Sequence, residues 1–244
     1  MNTAPSAPFF ALHGFAGTPE TWLAFVPEAV APLLTGHGKQ PDFSSRSFEE
    51  EVARLAREAR AVGTPLHLLG YSQGARLALG LLLEAPECFV DAVLVGVNPG
   101  LETDTAREER LAWEDGFIQL LHQHGLDAFV DAWENLPLFQ SQKRLSEPMR
   151  ERTRRARRSH TAEGLAHAFG VLGLGRMPSY WPRLAEIRVP VTLVVGELDT
   201  KFRALAERMC ATMPQARLVS VPDVGHNPLV EAPDVVSELL LASS

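Results

Sequence analysis

The sequence predicts an α/β fold built on a mostly parallel central sheet, and three observations predict it. Short apolar runs ending in Gly or a polar turn recur along the chain, and helical patterns alternate with them. The 244 residues, 45% of them hydrophobic, are enough for one large domain with a sizeable core. The runs at 8–12, 66–70, 92–97, 191–196 and 217–221 have the pattern of buried parallel strands bounded by turn residues. Between the second and third, 73–84 is apolar at Ala75, Leu77, Ala78, Leu81 and Leu82, a helical spacing. Further helices are predicted at 48–61, 201–213 and 234–242, which completes the alternation of a doubly wound sheet. The stretch 102–180 breaks this rhythm: it has no strand-like run and carries helical pieces at 106–122 and 126–133. It reads as a helical insertion, and an insertion after a strand's carboxyl end lies over the crevice where such sheets bind ligands, as a cap does. The chain, 1–244, is expected to be one domain carrying that cap.

Charge and cysteine content narrow the class of protein. A net charge of −7 and a pI near 5.6 oppose general affinity for nucleic acid or anionic membranes, since attraction to phosphate needs the opposite sign. Cys88 and Cys210 lie far apart with no Cys or His at ligand spacing, so neither a disulfide framework nor a metal site is expected. The N-terminus lacks a basic segment followed by an apolar one, and no stretch reaches the length of a membrane span. The expectation is a soluble, cytoplasmic protein with free thiols, no nucleic-acid partner and no membrane partner; its oligomeric state is not legible.

The chemistry concentrates in Gly70-Tyr71-Ser72-Gln73-Gly74, a G-x-S-x-G turn that follows a predicted strand and opens a predicted helix. A sharp strand-to-helix turn strains the Ser backbone and crowds its neighbours, so side chains at the two glycines would clash. Asp199 follows the fourth strand and His226 the fifth, giving the chain order Ser, Asp, His. A hydroxyl needs an imidazole to take its proton, and the imidazole needs a carboxylate to fix its tautomer. Glu197 and Asp223 compete for the acid role: Glu197 is still in the turn, and Asp223 is three residues from His226, where it shapes the loop. His13, in the LHGF after the first strand, reads as the histidine that structures an oxyanion loop, and His37 as a loop histidine. The backbone N–H groups of Phe15 and Gln73 are the candidate oxyanion donors. Arg76, one helical turn after Ser72, can share its face, where a cation suits an anionic substrate.

With LHGFAG, GYSQG, GELD and GH in this order, the chain resembles the α/β-hydrolase superfamily over nearly its full length. The segments LHGFAGTPETW, LLTGHG, GYSQGARLAL, NPGLETDTAREERLAWED, FVDAWENLPLFQSQ and GELDTKF further resemble the 2-succinyl-6-hydroxy-2,4-cyclohexadiene-1-carboxylate synthases of menaquinone biosynthesis. The resemblance implies an α/β-hydrolase fold and a lyase that eliminates pyruvate from 2-succinyl-5-enolpyruvyl-6-hydroxy-3-cyclohexene-1-carboxylate without metal or organic cofactor. That substrate carries three carboxylates, which arginine forks would hold. By position the family's substrate-binding arginine falls on Arg110, with Arg107 as the alternative, and its pocket tryptophan on Trp133. Tyr71 stands beside the nucleophile, and Lys201 fits the GE-x-D-x-KF pattern. Six arginines crowd the nine residues from Arg150 to Arg158; Arg150, Arg154 and Arg158 share one side, and Arg158 best matches a third anion-binding arginine, with Arg157 close behind. The turn departs from the family in reading GYSQGA where a further Gly is common, which predicts slight crowding at Ala75.

Under this reading His226, oriented by Asp199, draws the Ser72 proton and the serine oxygen acts as a base on a ring C–H. The alternatives left open are a carboxylesterase or carbon–carbon bond hydrolase with Ser72 as nucleophile, and a non-catalytic binding module.

Overall fold

Strand β1 (Phe9–Leu12) leads through α1 (Glu20–Leu23) and α2 (Phe48–Val62) to β2 (Leu66–Tyr71), α3 (Gln73–Glu84) and β3 (Phe89–Val95). Three further helices follow, α4 (Asp104–Glu134), α5 (Glu147–Arg157) and α6 (Ala162–Leu172). Then β4 (Val191–Gly196), α7 (Thr200–Thr212), β5 (Ala216–Val221), α8 (Pro228–Glu231) and α9 (Pro233–Leu241) close the chain. These come from a computed structural model, which describes residues 7–241; Ala242, at the end of the last expected helix, lies outside them.

The five strands pair in the order β1-β2-β3-β4-β5, every pairing parallel. Both faces of the sheet are covered, as a parallel sheet requires. Phe10, Leu12, Leu68, Leu94, Leu193 and Val195 pack with α2, α3 and α7, while Ala11, Leu69, Val93 and Val194 pack with Trp22, Leu229, Val236 and Leu240 on the other side. This is the period-two alternation of a strand, doubled because each face meets helices.

Beyond β1, Val30 adds a single parallel bridge to Phe10: the Ala11 amide donates to the Val30 carbonyl (2.9 Å) and the Val30 amide to that of Phe9 (2.8 Å). No strand was expected there, and Pro27 and Pro32, which bracket it, lack the N–H a longer ladder needs. The chain therefore leaves β1 to one side and returns on the other to make β2. That reversal is the switch point at which open α/β sheets form a ligand crevice.

The third strand starts earlier and ends earlier than the expected 92–97. Phe89 already pairs with Leu66, and the chain turns at Gly96, which has φ 61°. In the inserted segment the two expected helical pieces meet at Gly125 (φ 78°, ψ −175°), whose non-helical backbone separates them, so the span α4 is two helices on either side of a kink. No helix among the described residues is long and apolar enough to cross a membrane. Cys88 is buried and Cys210 half-buried, and both are free.

Candidate active site

Ser72 sits between β2 and α3 at φ 51° and ψ −105°, a conformation that a non-glycine residue holds only where its surroundings impose it. A Cβ on Gly70 would lie 2.6 Å from the Cα of Ala75, and one on Gly74 would overlap the Leu12 and His13 carbonyls at the end of β1. The turn thus needs both glycines sterically. Ala75 itself is fully buried in the core, because Gly70 leaves room for it, and the crowding expected at this position falls on Gly70.

Three strand ends bring the polar groups together. His226 Nε2 lies 3.0 Å from Ser72 Oγ, and His226 Nδ1 lies 2.6 Å from Asp199 Oδ2. With Nδ1–H donating to the carboxylate, Nε2 presents a lone pair to the hydroxyl, the arrangement that proton removal needs. Asp199 caps α7, its Oδ1 accepting from the Phe202 amide (3.4 Å). The Phe202 ring centroid is 4.4 Å from that of His226, which shields the imidazole. The competing acids are placed elsewhere: Glu197 accepts from the Asp223 amide (3.4 Å), and exposed Asp223 turns the chain at φ 57°. Glu231, which no motif singles out, accepts from the amides of Gly225 (2.9 Å) and Asn227 (3.2 Å) and so clamps the loop that carries His226.

In the loop after β1 the Ala16 amide donates to His37 Nε2 (3.1 Å) and the Gly17 amide to the Gly14 carbonyl (3.0 Å). The Phe15 amide has no acceptor among the described residues, and Gln73 opens α3, where a first-turn N–H has no intrahelical acceptor. Both residues line the cavity beside Ser72. His13 bonds the Gly14 carbonyl (2.8 Å) and the Leu34 amide (3.2 Å), and so supports the loop from behind.

His13, His37 and His160 form a buried chain with ring centroids 4.8 Å and 5.2 Å apart. Burial holds His13 and His160 down at about 4 and His37 well below the ordinary imidazole value. Unfolding releases each to about 6.5, so between pH 6.5 and 4 the unfolded chain binds more protons than the folded one. Stability is therefore fully present above pH 6.5 and lost as pH falls toward 4, by about 3 kcal/mol for His13 alone. Urea midpoints measured from pH 8 to 4.5 are expected to drop steeply below 6.5, and the slope is expected to flatten in His160→Gln. A midpoint constant from pH 7 to 5 refutes the assignment.

The cavity above Ser72 measures about 860 Å³, and its walls include Tyr71, Arg76, Arg110, Trp133 and Lys201. Burial pushes the Tyr71 phenol up, so it stays protonated. Trp133 packs within an aromatic cluster, 5.1 Å from Phe15 and 5.7 Å from Phe169 between ring centroids, and also faces the cavity. Arg76 is buried, 9% exposed, and no carboxylate lies within ion-pair reach of it among the described residues. Its Nη1 donates to the Leu172 carbonyl (2.9 Å). Burial lowers its pKa to about 10, so it is still charged at neutral pH. Arg107 is spent on the Gly175 and Met177 carbonyls (3.0 and 2.8 Å), whereas Arg110 reaches the cavity.

Arg158 is not at the cavity. It is 43% exposed and pairs with Asp127 at 2.8 Å on the outer surface, while Arg157 lines the cavity, with Nη1 on Glu134 (2.8 Å) and its guanidinium 5.2 Å from the Phe139 ring centroid. The reason is helical phase. Met149, Arg152, Thr153, Ala156 and Arg157, at i, i+3, i+4, i+7 and i+8, form the cavity face of α5. The stripe of Arg150, Arg154 and Arg158 meets Glu147, Asp131, Glu134 and Asp127 instead. Arg152 is exposed at the cavity with no acidic partner among the described residues.

Residues 9–239 match the family described as the alpha/beta hydrolase family. A Bacillus subtilis (strain 168) protein is 35% identical over 94% of this chain and 88% of its own, and is provisionally named 2-succinyl-6-hydroxy-2,4-cyclohexadiene-1-carboxylate synthase. A protein of that name from Photorhabdus laumondii is 29% identical over 88% of this chain and 77% of its own. Among solved structures, that of MenH from S. aureus superposes with a TM-score of 0.92 at 29% identity, covering 99% of this chain and 94% of that one.

Proposed function

The chain belongs to the alpha/beta hydrolase family, and on that premise we propose that it is a lyase of menaquinone biosynthesis. Its proposed reaction eliminates pyruvate from 2-succinyl-5-enolpyruvyl-6-hydroxy-3-cyclohexene-1-carboxylate. The observation that carries the proposal beyond the family is Arg76, a buried cation with no acidic partner among the described residues, in the wall of the cavity that holds Ser72. A hydrolase of neutral esters has no use for a buried guanidinium there without a direct ion-pair partner, whereas a carboxylate ligand supplies that partner, with Glu114 acting on the charge only at longer range. The names of the relatives give the compound that this elimination would form.

In the proposed mechanism His226, held by Asp199, accepts the Ser72 proton, and the Ser72 oxygen removes a proton from the ring carbon. The C–H electron pair becomes a ring double bond as the C–O bond to the enolpyruvyl group breaks. The departing enolate takes the proton on His226 Nε2 and tautomerises to pyruvate. The Phe15 and Gln73 amides receive negative charge developing on a substrate oxygen. Arg76, Arg110 and Arg157 hold the carboxylates, and Tyr71, Trp133 and Lys201 line the space between. The helices between β3 and β4 act as the cap that excludes water.

Incubation with the enolpyruvyl cyclohexene substrate, with pyruvate followed by a coupled assay, tests this reading. Wild type is expected to release one pyruvate per substrate without added metal. Wild type that releases none but turns over aryl esters establishes the hydrolase alternative instead.

A further inference from the structure

Glu114 places a carboxylate in the wall of the same cavity, where its charge alone opposes an anionic ligand. It is 1% exposed and lies on α4 one turn after Arg110. Its two oxygens accept three N–H groups. Oε1 accepts from Arg110 Nε (2.7 Å) and from the Leu174 amide (2.7 Å), and Oε2 from the Gly175 amide (3.2 Å). A side chain on Gly173 would overlap Oε2, so the backbone is shaped around the carboxylate. Two residues before Leu174, the Leu172 carbonyl holds Arg76.

Arg110 is thereby fixed from two directions. Glu114 grips the Nε edge, and the guanidinium carbon stands 4.3 Å from the Trp113 ring centroid, which sets the plane. Neither Nη of Arg110 has an acceptor among the described residues, so the end of the fork is left to a ligand.

We infer that Glu114 is a positioning residue for substrate recognition, which aims the Arg110 fork at a ligand carboxylate and anchors the 172–175 turn that holds Arg76. This rests on the anionic-substrate reading above. The two possible roles of Glu114 differ in sign. If its charge mattered only as repulsion, neutralising it would tighten binding; if it positions, neutralising it weakens binding, because glutamine cannot accept all three N–H groups.

The test measures kcat and KM for pyruvate release in wild type, Glu114→Gln, Arg110→Met and the double variant. Glu114→Gln is expected to raise KM roughly 10–100-fold with little change in kcat, the scale on which misplaced binding groups act. The same substitution is expected to have a smaller effect in the Arg110→Met background, where only the part that passes through the 172–175 turn remains. Glu114→Asp, which keeps the charge but shortens the reach, is expected to raise KM less, and it serves if the glutamine variant fails to fold. A lower KM in Glu114→Gln overturns the inference, as does an undiminished effect in the Arg110→Met background. If wild type releases no pyruvate, the functional reading falls, and citrate quenching of tryptophan fluorescence decides on the same four proteins. Weaker citrate binding in Glu114→Gln that shrinks in the Arg110→Met background upholds the positioning role; any other pattern, including no quenching of wild type, ends it.

Discussion

Ser72→Ala is expected to lower kcat for pyruvate release by about 10²–10⁴-fold, the range in which a positioned general base acts. The size of the loss separates two chemistries that share one constellation. If Ser72 attacks a carbonyl and forms an acyl-enzyme, its removal abolishes the pathway, at a cost of about 10⁶-fold in comparable triads. If it relays a proton to His226, the imidazole stays in place, 2.6 Å from Asp199, and a water in the space left by Oγ can carry part of the duty. Alanine is the right probe because it keeps the Cβ at φ 51°, so the strain of the turn and the placement of the Gln73 amide are unchanged. The thermal midpoint is accordingly expected to stay within a few degrees of wild type. Single-turnover pyruvate release is the measurement, and a loss near 10⁶-fold rejects the base role.

The hydrogen-bonded set of Ser72, His226 and Asp199 was legible because each of its members lies just past a strand end, and strand ends are marked in sequence by an apolar run giving way to Gly or a polar residue. The same logic placed Arg76 by its spacing from Ser72. Arg158 was misplaced because a helix rotates 100° per residue, and a run of adjacent arginines fixes the composition of a helix without fixing its phase. The phase was in fact present in the apolar members of the same helix. Met149, Thr153 and Ala156 share a face with Arg157, and reading the arginines by that face would have selected Arg157 and Arg152. Glu114 and Glu231 were invisible for a different reason. Each works by accepting backbone amides from segments distant in the chain or turned back on it, and a backbone donor leaves no trace in residue identity. The Val30 bridge was hidden too, since a one-residue strand has no periodicity to detect.

Replacing Arg76 by methionine is expected to move affinity and stability in opposite directions. Arg76 is charged and buried beside Leu172 and Met177, and its side chain has one carbonyl acceptor and a sulfur at 3.8 Å. The fall in its pKa to about 10 means that the folded state disfavours the guanidinium by about 3 kcal/mol relative to the unfolded chain. The sign follows from the direction of the shift. Both states are protonated at every pH below 10, so the fold carries this cost throughout the neutral range and is relieved of it only when the group can no longer charge. Methionine matches the reach of the arginine stem and needs no hydration, but its arrival strips a donor from the Leu172 carbonyl, which costs about 1 kcal/mol. A net gain on the order of 1–2 kcal/mol remains, to be read as a higher urea midpoint in the ligand-free protein. Binding goes the other way. A ligand carboxylate drawn out of water into the cavity loses its charge partner, and truncating one member of such a pair costs about 2–5 kcal/mol. KM is therefore expected to rise by roughly 10²–10³-fold, an effect that an ester without a carboxylate does not feel. An Arg76→Met variant that is both weaker-binding and less stable marks the guanidinium as structural; one that is more stable and unable to hold its substrate marks a destabilising charge kept in the fold for its ligand.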